Sequence, residues 1–167
     1  MLVRCIFLVS IFYSIGFSQE FPKDWLGIYN GQMSLYPSNK IIPVELEIRE
    51  LMKDSLWTYK MRYNTPNGEV VKDYQIRKET KDRFIMDEGS IEIDMRFVEN
   101  SFYDMYRLDS VIYTSILRKS ASNKIDFTLY GGSIAENNSR ITNEDSFFVH
   151  SYLPTFIQRV TLKRKRK

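Results

Sequence analysis

Residues 24–37 read DWLGIYNGQMSLYP. Trp25, Gly27, Tyr29 and Gly31 fall on alternate positions of this stretch. Successive side chains of extended backbone point to opposite sides, so a period of two puts all four on one face of a strand. Two glycines on that face let the ribbon coil sharply. A strand that opens on a large ring and then coils predicts the first stave of a closed barrel, with Trp25 plugging one end.

The rest of the chain repeats the pattern. Ile42, Val44, Leu46 and Ile48 alternate with Pro43, Glu45, Glu47 and Arg49. Trp57, Tyr59, Met61 and Tyr63 form a second series, and Ile91, Ile93, Met95 and Phe97 a third. Weaker alternation recurs at 70–78, 82–87, 102–108, 111–119 and 124–130, and β-branched and aromatic residues abound, as strands prefer. One parity also links Phe148, His150, Tyr152, Phe156, Val160 and Leu162, which predicts a single long last strand over 146–163. No segment carries a 3.6-residue helical period. Short turn signals separate the strands: PSN at 37–39, KDS at 53–55, PNG at 66–68, TKD at 80–82, DEG at 87–89, ENS at 99–101, DS at 109–110 and SASN at 120–123. One long connection is expected, at 131–146.

These signals predict an all-β chain with a single antiparallel up-and-down β-barrel of about ten strands. Twist curls so many strands with one apolar face, and unpaired edges invite association, so the sheet is expected to close. Eight strands enclose just enough room for their own side chains or one small ligand. About ten should leave interior space.

The first residues, MLVRCIFLVSIFYSIGFSQE, place Arg4 before an apolar run from Cys5 to Phe17, with Gly16 and Ser18 at the −3 and −1 positions of a cleavage site. This is the layout of a secretory signal peptide over 1–18, leaving a barrel domain over 19–167. The run is short against the roughly 20 residues of a membrane span. The expected destination is the periplasm or the extracellular space. The only cysteine lies in the leader, so the exported part has neither a disulfide nor a thiolate site. Charge is nearly balanced, with 24 Lys and Arg against 21 Asp and Glu. The last five residues, KRKRK, are all basic and are read as a frayed, solvated end. A body that is mildly acidic without them, and export, argue against nucleic acid as a partner.

The opening stretch resembles the calycin superfamily of lipocalins, fatty-acid-binding proteins and avidins, whose first strand carries a Gly/Trp motif at the closed end. The order here is Trp-x-Gly, where lipocalins have Gly-x-Trp. The resemblance implies a barrel closed by Trp25, Gly27 and Gly31, with a basic residue of the last strand packed over the Trp: Arg159, or Arg164 as second choice. WLGIYNG followed by LYP is also similar to the start of the haem-binding nitrobindins. Their haem ligand is a His of the last strand, at the position held here by Ile157. More loosely, the chain is similar to exported bacterial lipocalin-like proteins.

Candidate chemistry is sparse. His150 is the only histidine, which excludes a triad with a His base and any multi-His metal site. Its parity with Tyr152 and Phe156 points it into the barrel, where it would hydrogen-bond a ligand or, as a lesser alternative, ligate haem. The carboxylate pairs Glu45/Glu47 and Glu92/Asp94 lie opposite the apolar parity, and Asp87/Glu88 lies in a turn, so all are read as solvated rather than as an acid–base pair. There is no G-x-S-x-G, P-loop or H-E-x-x-H. The abundant feature is aromatic: 11 Tyr, 11 Phe and 2 Trp. Tyr has an apolar body and a polar tip, which suits a cavity for an amphipathic molecule.

The sequence therefore reads as a non-catalytic barrel that binds a small hydrophobic or amphipathic molecule and needs no metal or cofactor. The expected ligand-lining residues are Tyr59, Tyr63, Tyr74, Met95, Tyr106, Tyr113, His150 and Tyr152. The alternatives are a filled barrel acting through its surface, as an inhibitor or envelope partner, and an outer-membrane barrel with its polar parity inward.

Overall fold

The computed structural model describes residues 21, 23–135, 139–144 and 147–166. The proposed leader at 1–18 lies outside them. The described residues form twelve strands: β1 (Gly27–Tyr36), β2 (Lys40–Met52), β3 (Leu56–Thr65), β4 (Gly68–Lys78), β5 (Arg83–Asp87), β6 (Glu92–Val98), β7 (Ser101–Leu108), β8 (Val111–Ala121), β9 (Lys124–Ser133), β10 (Ser139–Glu144), β11 (Phe147–Tyr152) and β12 (Phe156–Arg164). Ten of them close into one antiparallel barrel in the order β1-β12-β9-β8-β7-β6-β5-β4-β3-β2.

The turns fall where the polar signals stand. Left-handed backbone occurs at Asn39, Asp54, Glu99, Asn100 and Asp109, and positive φ at Gly68 and Gly89. Short polar Asn and Asp tolerate this conformation better than most residues. Apart from the departure after β9, each hairpin joins neighbours in the sheet.

Closure depends on β1 meeting β12. Tyr29 and Asn30 pair with Arg164 and Lys163, and Ser34, Leu35 and Tyr36 with Arg159, Gln158 and Ile157. Trp25 precedes the strand rather than belonging to it, lying in the turn before Gly27. Its ring is fully buried all the same.

The predicted single strand over 146–163 is two strands. β11 ends at Tyr152, and β12 begins at Phe156. Pro154 lies between them; it has no N–H for a ladder and restricts the residue before it, so the run of one parity breaks there. β10 and β11 instead form a two-stranded hairpin of their own, from Ser139 opposite Tyr152 to Glu144 opposite Phe147. The predicted long connection over 131–146 is therefore the end of β9 followed by β10. Gly131 is tightly placed in β9: a Cβ there would come 2.1 Å from the Ile112 carbonyl oxygen and 2.7 Å from the Phe156 ring.

The inward parity matches the apolar series. Tyr29, Met33, Ile42, Val44, Leu46, Ile48, Trp57, Tyr59 and Met61 are buried. Cross-strand ion pairs lie on the other parity. Arg62 Nη1 reaches Glu45 at 2.8 Å and Glu47 at 3.3 Å, Lys60 meets Asp73 at 2.6 Å, Arg77 meets Glu92 at 3.0 Å and Arg83 meets Asp94 at 2.7 Å. Glu47 is buried rather than solvated, because Arg49 and Arg62 both bind its carboxylate.

Candidate functional site

The two ends of the barrel differ in chemistry. At the closed end Phe21, Trp25, Trp57, Phe84, Phe97 and Phe102 form a knot of rings. Phe21 meets Trp57 and Phe102 edge-on at 4.8 Å each, and Phe84 meets Phe102 at 5.1 Å. Edge-to-face contact of this kind adds to area burial. Beside the knot, three strands tie to one phenol. The Tyr29 hydroxyl accepts from Lys119 Nζ at 2.8 Å and from Arg164 Nη2 at 2.9 Å, and donates to the Trp25 carbonyl at 3.0 Å. Arg164 also donates to the carbonyls of Asp24 and Leu26, each at 2.7 Å.

The basic latch of the last strand is thus Arg164 and not Arg159, which is exposed on the outer parity. Arg164 packs over the Tyr29 ring at 5.4 Å. Nor is the KRKRK end simply frayed: Lys163 and Arg164 belong to β12, and the Lys165 N–H donates to the Ile28 carbonyl at 2.7 Å.

Lys119 is only 3% exposed, and no carboxylate is paired with it among the described residues. Burial, then the charge of Arg164, brings its pKa down to about 8. An unfolded lysine titrates near 10.4. Between those values the unfolded chain holds more protons, so stability should rise as pH climbs from about 8 towards 10.4. Lys119→Met is expected to flatten that rise and to raise the melting temperature at pH 7; parallel thermal melts of both proteins at pH 7, 8, 9 and 10 check it.

The open end is lined by phenols. Tyr59, Tyr63, Tyr74, Tyr106, Asp104 and Ser115 surround a cavity of about 70 Å³, completed by Met86, Ile93, Phe127 and Leu129. Tyr59 stacks on Tyr74 at 6.3 Å, and Tyr106 on Tyr113 at 5.0 Å with rings 7° apart. Tyr113 in turn meets Phe156 at 5.5 Å. Burial pushes the phenols of Tyr59 and Tyr63 upward, and that of Tyr106 to about 12. All of them therefore stay neutral donors and acceptors near pH 7.

The wall is low on one side. β5 and β6 are short, and β6 pairs with β7 only from Met95–Asp104 to Val98–Ser101. An outer groove, bordered by Arg83, Arg96, Tyr103, Met105 and Tyr130, reaches Asp104 and Ser115 from outside. These two residues therefore face both the groove and the cavity.

Asp104 is 8% exposed. Its Oδ2 accepts a short bond from the Ser115 hydroxyl, while its buried Oδ1 has no hydrogen-bond partner among the described residues. Burial raises its pKa above the ordinary carboxylate range, and Ser115 offsets only part of that. A group whose folded pKa is raised lowers stability at every pH above that value, and the penalty disappears as pH falls below the unfolded value. Asp104→Asn removes the buried charge while keeping the shape of the side chain, and is therefore expected to stabilise the free protein at pH 7. Melts of both proteins should differ by several degrees at pH 7 and converge at pH 3.

Most of the expected lining residues come together at this end. Tyr59, Tyr63, Tyr74 and Tyr106 line the cavity, Tyr113 stacks behind Tyr106, and Met95 is buried on β6 opposite Asp104. His150 and Tyr152 do not join them. Both are on the β10–β11 hairpin outside the barrel ladder and are exposed, Tyr152 by 38%. Their shared parity with Phe156 has no meaning across the break at Pro154. The interior is also fuller than expected, since 70 Å³ falls well below the roughly 300–1,000 Å³ of pockets for drug-sized ligands.

No family model matches the chain, and no curated protein matches its sequence. Solved structures do resemble its fold. An S-type phycobiliprotein lyase from Guillardia theta superposes with a TM-score of 0.59 at 7% identity, over 87% of this chain and 90% of the lyase. A protein of unknown function from the DUF3598 family of Nostoc punctiforme gives a TM-score of 0.57 at 13% identity, over 86% of this chain and 48% of its own. This chain thus spans about half the length of that protein. At such identities the likeness is one of fold.

Asp104 and Ser115 are missing from the expected lining, although the sequence carried a signal for them. Asp104 takes the inward place between Phe102 and Tyr106, and Ser115 that between Tyr113 and Leu117. Among the described residues no three His, Cys, Asp or Glu side chains gather as a metal site.

Proposed function

We propose that the chain is a lipocalin-like barrel of the calycin type that binds a small amphipathic molecule at its open end, without making or breaking a bond. The observation that carries this reading is the buried carboxylate of Asp104, one oxygen unpaired, lining a small cavity among tyrosines. A folded protein gains nothing from such a group by itself, and a bound donor would satisfy it. The small volume means that only a head group enters, while an apolar remainder lies at the mouth beside Tyr113 and Phe156. The fold is shared with an S-type phycobiliprotein lyase, and small closed barrels can hold one small ligand. In this reading residues 1–18 export the chain, and N-terminal sequencing of the mature protein would begin at Gln19.

The test is denaturing extraction of protein purified from its native source, followed by mass spectrometry. A stoichiometric small molecule, lost when Tyr106 and Tyr113 are both changed to Ala, supports the reading. Recovery of the same molecule from that variant, or of none, counts against it.

The surface reading has its own observation. Ile141, Val149, Tyr152 and Leu153 are exposed large apolar residues clustered in sequence around the hairpin. Such clusters often mark contact sites. Crosslinking at residue 149 that captures one defined protein would favour it.

A further inference from the structure

We propose that the head group taken at the open end is a small organic cation, a primary ammonium at the tip of an apolar chain, held by Asp104. This rests on the reading of that end as a ligand site and names the class of ligand.

The lining has one ionisable acid and no base. Asp104 stands among Tyr59, Tyr63, Tyr74, Tyr106 and Ser115, and the remaining lining residues are apolar. On the groove side the guanidiniums of Arg83 and Arg96 are taken by Asp94 and Asp82. The groups that face Asp104 on the cavity side are Ser115 from β8, Tyr59 from β3, Tyr106 from its own strand and Met95 from β6. None of them is a cation. Lys72, the base beside this mouth, is held 3.3 Å from Glu88 and lies 6.0 Å from the Tyr74 ring centre. The charge of Asp104 is therefore uncompensated by any lining residue.

Three features then select the guest. An ionised carboxylate only accepts hydrogen bonds, so the free Oδ1 requires a donor, and a charged donor makes the stronger bond. The faces of surrounding phenol rings attract cations by their quadrupoles, and more so away from water. The 70 Å³ space admits an ammonium and a short stem but leaves little room for a larger planar cation. A carboxylate guest would instead be placed beside Asp104 in a poorly solvated site, where like charges repel strongly.

The experiment compares n-butylammonium, butan-1-ol and butanoate, titrated calorimetrically at pH 7 into the full barrel domain and into its D104N variant. Nile red, a neutral apolar dye too large for the 70 Å³ space, serves as reporter of the mouth beside Tyr113 and Phe156. The expected result is that butylammonium binds roughly tenfold or more tightly than butanol, the difference between charged and neutral hydrogen bonds. Butanoate should bind weakest. D104N should bring the amine down to the affinity of the alcohol. Equal affinities for the three probes, binding of none, or an amine preference kept by D104N would each overturn the proposal. Nile red separates the two levels. If it binds the barrel and the Tyr106/Tyr113 double variant does not bind it, while the amine preference is absent, the cation falls and the ligand site stands. If the dye fails as well, both fall. Should D104N not fold, the wild-type ranking decides alone.

Discussion

Trp25→Ala is expected to lower the melting temperature by about 6–20 °C. Truncating a fully buried Trp typically costs about 3–5 kcal/mol, through lost transfer energy and the cavity left behind. For a domain of this size each kcal/mol is worth about 2–4 °C. The Trp25 ring is fully buried, 5.6 Å from Phe102 edge-on, 5.7 Å from Phe21 and 6.1 Å from Phe97. Phe97 and Phe102 face each other on the β6–β7 hairpin, whose ladder holds them in place, so the hole cannot close without moving paired strands. The Trp25 carbonyl also accepts from Tyr29, which ties the same turn to Lys119 and Arg164. A scanning-calorimetry shift below about 4 °C would mean that the ring is a lid over the core rather than part of it.

Gly31→Ala is the second large effect. A Cβ at this position would lie 2.5 Å from Val160 Cγ2 and 2.6 Å from the Thr161 carbonyl oxygen. Val160 can change rotamer, but the Thr161 carbonyl is backbone and has to move with its strand. Overpacking of this kind costs about 1–3 kcal/mol and sometimes more, and here the strain falls on the β1–β12 seam that closes the barrel. Hydrogen exchange should quicken selectively at amides of residues 29–36 and 157–164, while those of β3 and β8 stay protected up to global unfolding. Uniform loss of protection would show that the seam is no weaker than the rest. Gly31 was marked in the sequence only by its parity with Trp25; the reason it must be small is the approach of a strand more than a hundred residues away.

That contrast describes what the sequence made legible. Alternation fixes which face of a strand is apolar, and the Asn, Asp and Gly turns fix where each strand ends, so the meander from β1 to β9 could be read locally. Closure followed from physics, because ten twisted strands with one apolar face have few other places to put it. After β9 parity misleads, because Pro154 interrupts the ladder between β11 and β12. Parity alone puts His150 and Tyr152 inside; the break puts them on the β10–β11 hairpin. Arg164 shares the inward parity of Val160 and Leu162 and Arg159 does not, so parity already favours Arg164; that it lies over Tyr29 and not, as expected, over Trp25 comes from the tertiary structure. The tyrosines of the open end were legible as a class. Asp104 was passed over because carboxylates were sought in pairs, whereas a single acid on an apolar parity is the more unusual observation. The size of the cavity depends on how four phenol rings pack, which no pattern of one strand contains.

The claim on which this account turns is that the phenols around Asp104 form the receiving surface. Its most direct measurement is the two-dimensional ¹³C–¹H spectrum of protein labelled on the tyrosine rings, recorded while n-butylammonium is added. The account predicts saturable shifts at Tyr59, Tyr63, Tyr74 and Tyr106, with Tyr36, Tyr103 and Tyr152 on the outside left in place. Shifts confined to those three outer rings, or no shift at any ring with either the amine or, added in its place, Nile red, would contradict it.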